Sequence, residues 1–299
     1  MPQLRNQWPR DYLVAGLDRL HAWVDRDELA LPKSMTDDGT VVELNPHPMK
    51  YHALWKLQLQ MRQPSRRAFL TLERSLGHDV RALLNYVEIV LDVLCDSRAQ
   101  ARALQRAFIA SVKVKHQQQT LVIHQGTAYI GRLAKSDRKP GHVLCVYSDR
   151  PSKLNLAKRR RARPVCLHIE WRATGARALE MLGIVTTRDL LDFDHRAFWA
   201  ERIQLFVLPE RKAELGRILH ATKGKRTEVT DRALRANASR WIQRHEIDGQ
   251  FAMHNALLGQ PEIARRLKTV PIAAWLQREI SRTEKSGSNS ALKTSKNGA

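Results

Sequence analysis

Cysteine, long apolar runs and acidic residues are all scarce in this chain, and each scarcity excludes a class of protein. The three cysteines, Cys95, Cys145 and Cys166, show no paired ligand spacing, so neither a disulfide framework nor a cysteine-rich zinc module is predicted. They are expected to be small core residues in a reducing compartment. No apolar run reaches the roughly 18 residues of a membrane-spanning helix, and the opening MPQLRNQWPRDY carries no hydrophobic leader. A cytoplasmic location without a membrane partner is the expectation. Asp and Glu number 30 against 51 Lys and Arg, a formal charge of +21. A surface that positive favours a polyanionic partner, of which nucleic acid is the commonest.

What is present is enough for a large core: 299 residues, 43% of them hydrophobic, which predicts one or two folded domains. Leu13, Leu17, Leu20 and Trp23 are spaced as on an amphipathic helix over Asp11 to Val24. Pro32, Gly39, Pro46 and Pro48 break up the next segment, with a short hairpin strand over Thr40 to Leu44. Lys56 to Arg62 alternates as a strand with one wet, basic face, and Ser65 to Leu84 reads as helical for part of its length. Asn85 to Leu94 is a strand: Val87, Ile89, Leu91 and Val93 form its apolar face, with Glu88, Val90 and Asp92 opposite. Ser97 to Val112 is a helix capped by Asp96 or Ser97. Gln119 to His124 and Thr127 to Arg132 form a hairpin about Gln125-Gly126.

The segment Gly141 to Arg172 has the most unusual chemistry. It holds two alternating runs joined by a dense basic connection. Val143, Cys145 and Tyr147 share one face of the first run; Cys166, His168 and Glu170 share one face of the second. Beyond it, Gly175 to Leu182 is a short helix closed by Gly183, and Thr186 or Thr187 caps another through Leu191. From His195 to Ile280 helical spacing dominates. The last stretch, TEKSGSNSALKTSKNGA, has the composition of a disordered basic tail. The organisation expected is an N-terminal α/β extension (1–84), a sheet core (85–194), a helical C-terminal region (195–281) and the tail (282–299).

A tyrosine at a strand end can attack a phosphodiester when a metal polarises the phosphate. By base rate it is more often a hydrogen-bonded core tyrosine. His168 and Glu170 on a half-buried strand face need partners, either a metal or a polar network with Arg172. Glu88 and Asp92, four residues apart on one strand face, are separated by about 13 Å, so at most one directly holds an ion shared with Glu170. Carboxylates suit magnesium or manganese, and an imidazole favours manganese. The basic connection (Lys158, Arg159, Arg160, Arg161 and Arg163), with Arg132, Arg150 and Lys153, offers phosphate contacts that would position DNA without reading its sequence.

In order, NYVEIVLD, TAYIGR, HVLCVYSDRPSK and PVCLHIEWR resemble the core of the rolling-circle replication initiators of plasmids and filamentous phages. The matching stretches are Val87 to Asp92, Tyr129 to Arg132, Cys145 to Ser152 and Leu167 to Glu170. The resemblance covers about the middle third of the chain. It implies a relaxase-like α+β fold: a central, mostly antiparallel sheet with helices on one face, followed by the helical region. It further implies that Tyr147 attacks an origin phosphate, leaving a 5′-phosphotyrosine and a free 3′-hydroxyl, with Glu170 and Glu88 or Asp92 at a divalent metal. Two departures stand out: the family's Tyr-acidic-Lys triplet is here Tyr147-Ser148-Asp149-Arg150, and His168 replaces the arginine two residues before the glutamate. They leave the parts of Asp149, Lys153 and His168 open.

The expected function is therefore replication initiation: binding a single-stranded or hairpin origin and nicking one strand through Tyr147. Catalytic partners are a metal at Glu88, Asp92, His168 and Glu170. Host helicase and polymerase would follow, and a homodimer is compatible with the sequence. Two rivals use the same charge: a non-catalytic nucleic-acid-binding regulator of a mobile element or phage, and a metal-dependent nuclease that activates water.

Overall fold

The computed structural model describes residues 12–37, 39–49, 52–77, 79–114, 121–131, 141–161, 164–207, 212–221, 227–229, 231–233, 236, 263 and 265–280. Two compact units result, one of Asp11–Asp96 with Gln117–Ala197, the other of Met1–Arg10, Ser97–His116 and Phe198–Ala299. Among the described residues no helix is long and apolar enough to cross a membrane.

The first unit is built on β-branched and leucine-rich alternation, and its strands are β1 (Leu13–Val24), β2 (Val41–Pro46), β3 (Leu57–Arg62), β4 (Ala82–Leu94), β6 (Leu121–His124), β7 (Thr127–Gly131), β8 (Gly141–Tyr147) and β9 (Cys166–Thr174). They form one eight-stranded sheet in the order β2-β3-β1-β4-β9-β8-β7-β6. Every pairing within it is antiparallel. With its helices this is the α+β architecture with a central antiparallel sheet anticipated from the sequence. The hairpin at Gln125-Gly126 is present, and both turn residues have positive φ (47° and 78°), as a two-residue type I′ turn requires.

The segment read as a first helix is instead β1, the longest strand contact in the sheet. Its side chains explain the misreading. Leu13 and Leu17 point into the core, as do Leu20, Ala22 and Val24. The parity changes between them because Leu17 pairs with Ile89 and Arg19 with Glu88, leaving Asp18 as an extra residue. A one-residue bulge converts a two-residue period into steps of four and three, which imitate a helix. A matching irregularity sits on β4, where His21 pairs with Tyr86 but Ala22 with Leu84, leaving Asn85 extra.

Helices complete this unit: α1 (Arg66–Leu76), α3 (Asn155–Arg160), α4 (Ala176–Glu180) and α5 (Thr187–Leu191). Ser65 caps α1 by accepting from the Ala68 amide, and Thr186 with Asp189 forms a capping box on α5. The basic connection is therefore part helix. Leu154 and Ala157 bury it against Val14, Val90, Leu94 and Cys166, on the sheet face that carries the acids.

In the second unit α2 (Arg98–Ser111) is capped by Ser97, as its sequence predicts. Helices α6 (His195–Arg202) and α7 (Lys212–Ala221) agree with helical spacing. A small sheet also appears, β11-β10-β5, from Val112–Val114 (β5), Ile203–Phe206 (β10) and Thr269–Val270 (β11). Strands this short show too few alternations to be separated from helix by period. Phe108 meets Trp275 edge to face, ring centres 5.7 Å apart, within the core of this unit.

Candidate active site

Two neighbouring clusters occupy the polar face of the large sheet. The bulge in β1 turns Asp18 and Arg19 onto that face, β4 supplies Glu88 and Asp92, β8 supplies Tyr147, and β9 supplies His168 and Glu170. Register brings them together: Val90 pairs with Glu170, Asp92 with His168, and Tyr147 with His168 across the other edge of β9.

The first cluster is Asp18, Glu88 and Glu170. Each offers a carboxylate oxygen, and these oxygens lie within 4.8 Å of one another. Glu88 and Glu170 are 3% and 1% exposed and Asp18 is 8% exposed, so their charges are confined in a poorly solvated space. Burial, reinforced by the charge of Glu170, pushes Glu88 up to about 7 despite Arg172, the Tyr86 hydrogen bond and Arg19. Burial also raises Asp18, opposed by Lys153. Three cations frame the acids: Arg19 Nε is 3.9 Å and Arg172 Nε 3.5 Å from Glu88, and Lys153 Nζ is 3.8 Å from Asp18. Arg172 also bonds Glu170.

Two tyrosines donate into this cluster. Tyr147 Oη donates to Glu170 Oε2 at 2.9 Å, and Tyr86 Oη donates to Glu88 Oε1. Burial and the adjoining carboxylate raise both phenols well above their ordinary value. The Tyr147 ring stacks on His168, centres 4.4 Å apart and 24° between planes, and the Arg150 guanidinium is 5.8 Å from its centroid. Its hydroxyl faces a cavity of about 890 Å³ that all three acids, Arg19, Arg150, Lys153 and Arg172 also line.

The second cluster is Asp92, Cys166 and His168. His168 Nδ1 meets Asp92 Oδ1 at 2.7 Å and Nε2 meets the Arg150 carbonyl at 3.0 Å. Both partners accept, so both ring nitrogens donate. Burial alone would lower the His168 pKa, but the charge and hydrogen bond of Asp92 outweigh it and raise the value. Ser152 Oγ donates to the other oxygen of Asp92 and accepts from the Leu154 amide at 3.2 Å. His168 is thus tied to the backbone that follows Tyr147, through the Arg150 carbonyl and Ser152.

The sequence-derived site residues divide accordingly. Tyr147, Glu88 and Glu170 converge; Asp92 and His168 form the adjoining pair. Glu88 and Asp92 belong to different clusters. Arg150 and Lys153 line the cavity. Lys158, Arg159 and Arg160 are exposed on α3, with Arg160 donating to the Leu13 carbonyl. Arg161 bonds the Cys95 carbonyl and Asp96. Arg132 and Arg163 lie outside the described residues. Sequence reasoning missed Asp18, whose signal, a carboxylate in a Val14, Gly16, Asp18 alternation, was hidden by the bulge. It also missed Tyr86 and Ser152. The cysteines are free and buried, and burial pushes the Cys145 thiol up to about 12.

No protein-family model and no curated protein matches this sequence. Among solved structures, the chain is similar to a rolling circle replication initiator protein from Geobacillus stearothermophilus, at 11% identity and a TM-score of 0.35, over 66% of this chain and 88% of that one.

Proposed function

We propose that the protein initiates DNA replication by nicking one strand, with Tyr147 as nucleophile and a divalent metal at Asp18, Glu88 and Glu170. The observation that carries this reading is the Tyr147 hydroxyl, hydrogen bonded to one member of a buried three-carboxylate cluster at the wall of a cavity rimmed with arginine and lysine. Three hard oxygen donors in reach of one another fit magnesium or manganese. Burial first, and the charge of Glu170 second, raise Glu88, a crowding that a bound cation would relieve. The ion would polarise the phosphate and lower the phenol's proton affinity.

The chain's own residues do the rest. Glu170 Oε2 accepts the Tyr147 proton as Oη attacks phosphorus. The O3′–P bond breaks, the 3′-oxygen takes a proton from solvent, and a 5′-phosphotyrosine and a 3′-hydroxyl remain. Arg150, Lys153 and Arg172 hold phosphate oxygens, and His168 packs against the Tyr147 ring to fix its direction. Asp92 and His168 serve as a positioning pair in this scheme, which differs from the metal-binding part anticipated for them.

The test uses supercoiled DNA carrying the sequences that flank the gene, with manganese. Nicked product joined covalently to protein is expected from the wild type and absent with Tyr147→Phe. Undiminished nicking by Tyr147→Phe would sink the assignment and leave the water-activating nuclease. A second reading has its own observation: Arg19, Arg172 and Lys153 neutralise the three acids within 4 Å, which a non-catalytic DNA-binding protein would also display. Metal binding that disappears in Glu170→Gln decides against it.

A further inference from the structure

Two cations of the site have two claims on them. Arg172 and Lys153 line the cavity and are the groups proposed to hold phosphate oxygens, yet in the free protein the acids already engage both. Arg172 Nε lies 3.5 Å from Glu88 Oε1 and also donates to Glu170 Oε1, so one guanidinium spans two members of the carboxylate cluster. Lys153 Nζ lies 3.8 Å from Oδ2 of Asp18, the third member. Arg19 faces the other oxygen of Glu88 at 3.9 Å.

Burial separates the two sides of these contacts. The three acids are buried, whereas the side chains of Arg172 and Lys153 are 34% and 46% exposed. The acids are therefore the fixed partners, and the cations, on long stems that open to the cavity, are the movable ones. Ion pairs half open to water cost little to exchange.

Charge decides what the exchange does. With Arg19, Arg172 and Lys153 in place, three carboxylates face three cations, and a divalent ion is repelled by the groups it must displace. A phosphodiester in the same cavity offers Arg172 and Lys153 another anion. Once they turn to it, the carboxylates keep Arg19 alone and the ion meets a net negative site. The converse follows by linkage: an ion on the acids releases both side chains to phosphate, and each ligand raises the affinity for the other by the same factor.

We infer that Arg172 and Lys153 are an exchangeable counter-charge, held by the acids in the free protein and passed to DNA phosphates when the divalent ion enters, so that metal and strand bind cooperatively. This inference rests on the proposed nicking site and gives it a regulation: metal loads where a strand is present.

The experiment uses the full chain with Tyr147→Phe, so that no covalent adduct forms. Manganese binding is measured by titration calorimetry without and with saturating oligothymidylate, corrected for manganese taken up by the oligomer alone. Oligomer binding is measured by anisotropy in manganese and in EDTA. Each ligand should bind about tenfold more tightly in the presence of the other. A phosphate oxygen that simply ligates the metal would also give coupling, so the deciding variant is Arg172→Gln. Without the strand it should bind manganese severalfold more tightly than its parent, because the competing charge is gone, and its coupling should fall to about threefold. Weaker manganese binding by Arg172→Gln, or an undiminished coupling, overturns the inference. Should that variant unfold, Lys153→Gln, which removes a half-exposed side chain, reads the same two quantities with the same expected directions. Manganese binding that ignores the strand but disappears in Glu170→Gln refutes the exchange alone and leaves the metal site standing. No manganese binding by any form refutes the nicking reading and the exchange with it.

Discussion

Two carboxylates on adjoining strands, Asp18 and Asp92, have opposite relations to stability. Asp92 is fully buried and bonded to His168 and Ser152, so Asp92→Ala leaves an imidazolium and a hydroxyl without their acceptor. A loss of about 3–5 kcal/mol in denaturant unfolding is expected. Asp18 adds a third negative charge to the acid cluster, so Asp18→Asn should leave the metal-free fold as stable or more stable, while abolishing metal binding and nicking. Equal destabilisation by both substitutions would show the cluster to be structural. The same crowding sets a pH dependence. The folded-state pKa of Glu88 is raised to about 7 from a reference of 4.5, so the native state holds the proton more tightly than the unfolded chain does. Its stabilising contribution is fully present below about pH 4.5 and is lost as pH rises through about 7, amounting to roughly 3 kcal/mol. In EDTA the wild type should therefore lose stability relative to Glu88→Gln between about pH 5.5 and pH 8. Manganese should restore it at the upper end, read as a melting temperature.

At the scale of elements, the first strand shows how closely the site depends on packing. Gly16 lies beside Asp18 on the polar face, and a Cβ there would meet Leu154 Cδ2 at 3.2 Å. Leu154 stands at the head of α3 and its amide donates to Ser152, which in turn holds Asp92. Gly16→Val should cost about 1–3 kcal/mol by overpacking, and should loosen the segment after Tyr147. Nicking would fall more than stability does; a variant with normal melting and normal nicking would show that this contact positions nothing. Most strands were legible because their alternation is unbroken: β8, β9 and the part of β4 beyond Asn85 show in sequence the faces they have in the fold. The face shared by Cys145 and Tyr147 is the one shared by His168 and Glu170. Strand β1 was illegible because its bulge gives Leu13, Leu17 and Leu20 helical steps, and with it went Asp18, one of the three acids. The basic connection was legible as charge and illegible as helix, because only Leu154 and Ala157 anchor it. Tyr86 depends on the second irregularity, at Asn85, which no local pattern marks.

For the whole molecule the governing quantity is a formal +21, and its division matters more than its size. Arg19 is committed to Glu88, and Arg161 to Asp96. Lys158 and Arg159, exposed on α3, stand instead on a helix packed at one end of the polar face through Leu154 and Ala157. DNA that runs from the Tyr147 site across this helix would place phosphates beside them, releasing counterions as it binds. Each such contact contributes about −0.7 to −0.9 to the slope of log K against log salt concentration. Replacing Lys158 and Arg159 together by glutamine should make that slope less steep by about 1.5 and weaken binding evenly across sequences. The manganese-dependent gain in melting temperature should not change, because neither residue lines the cavity. An unchanged slope would mean that α3 contacts no phosphates, and would turn the path of the strand away from this helix.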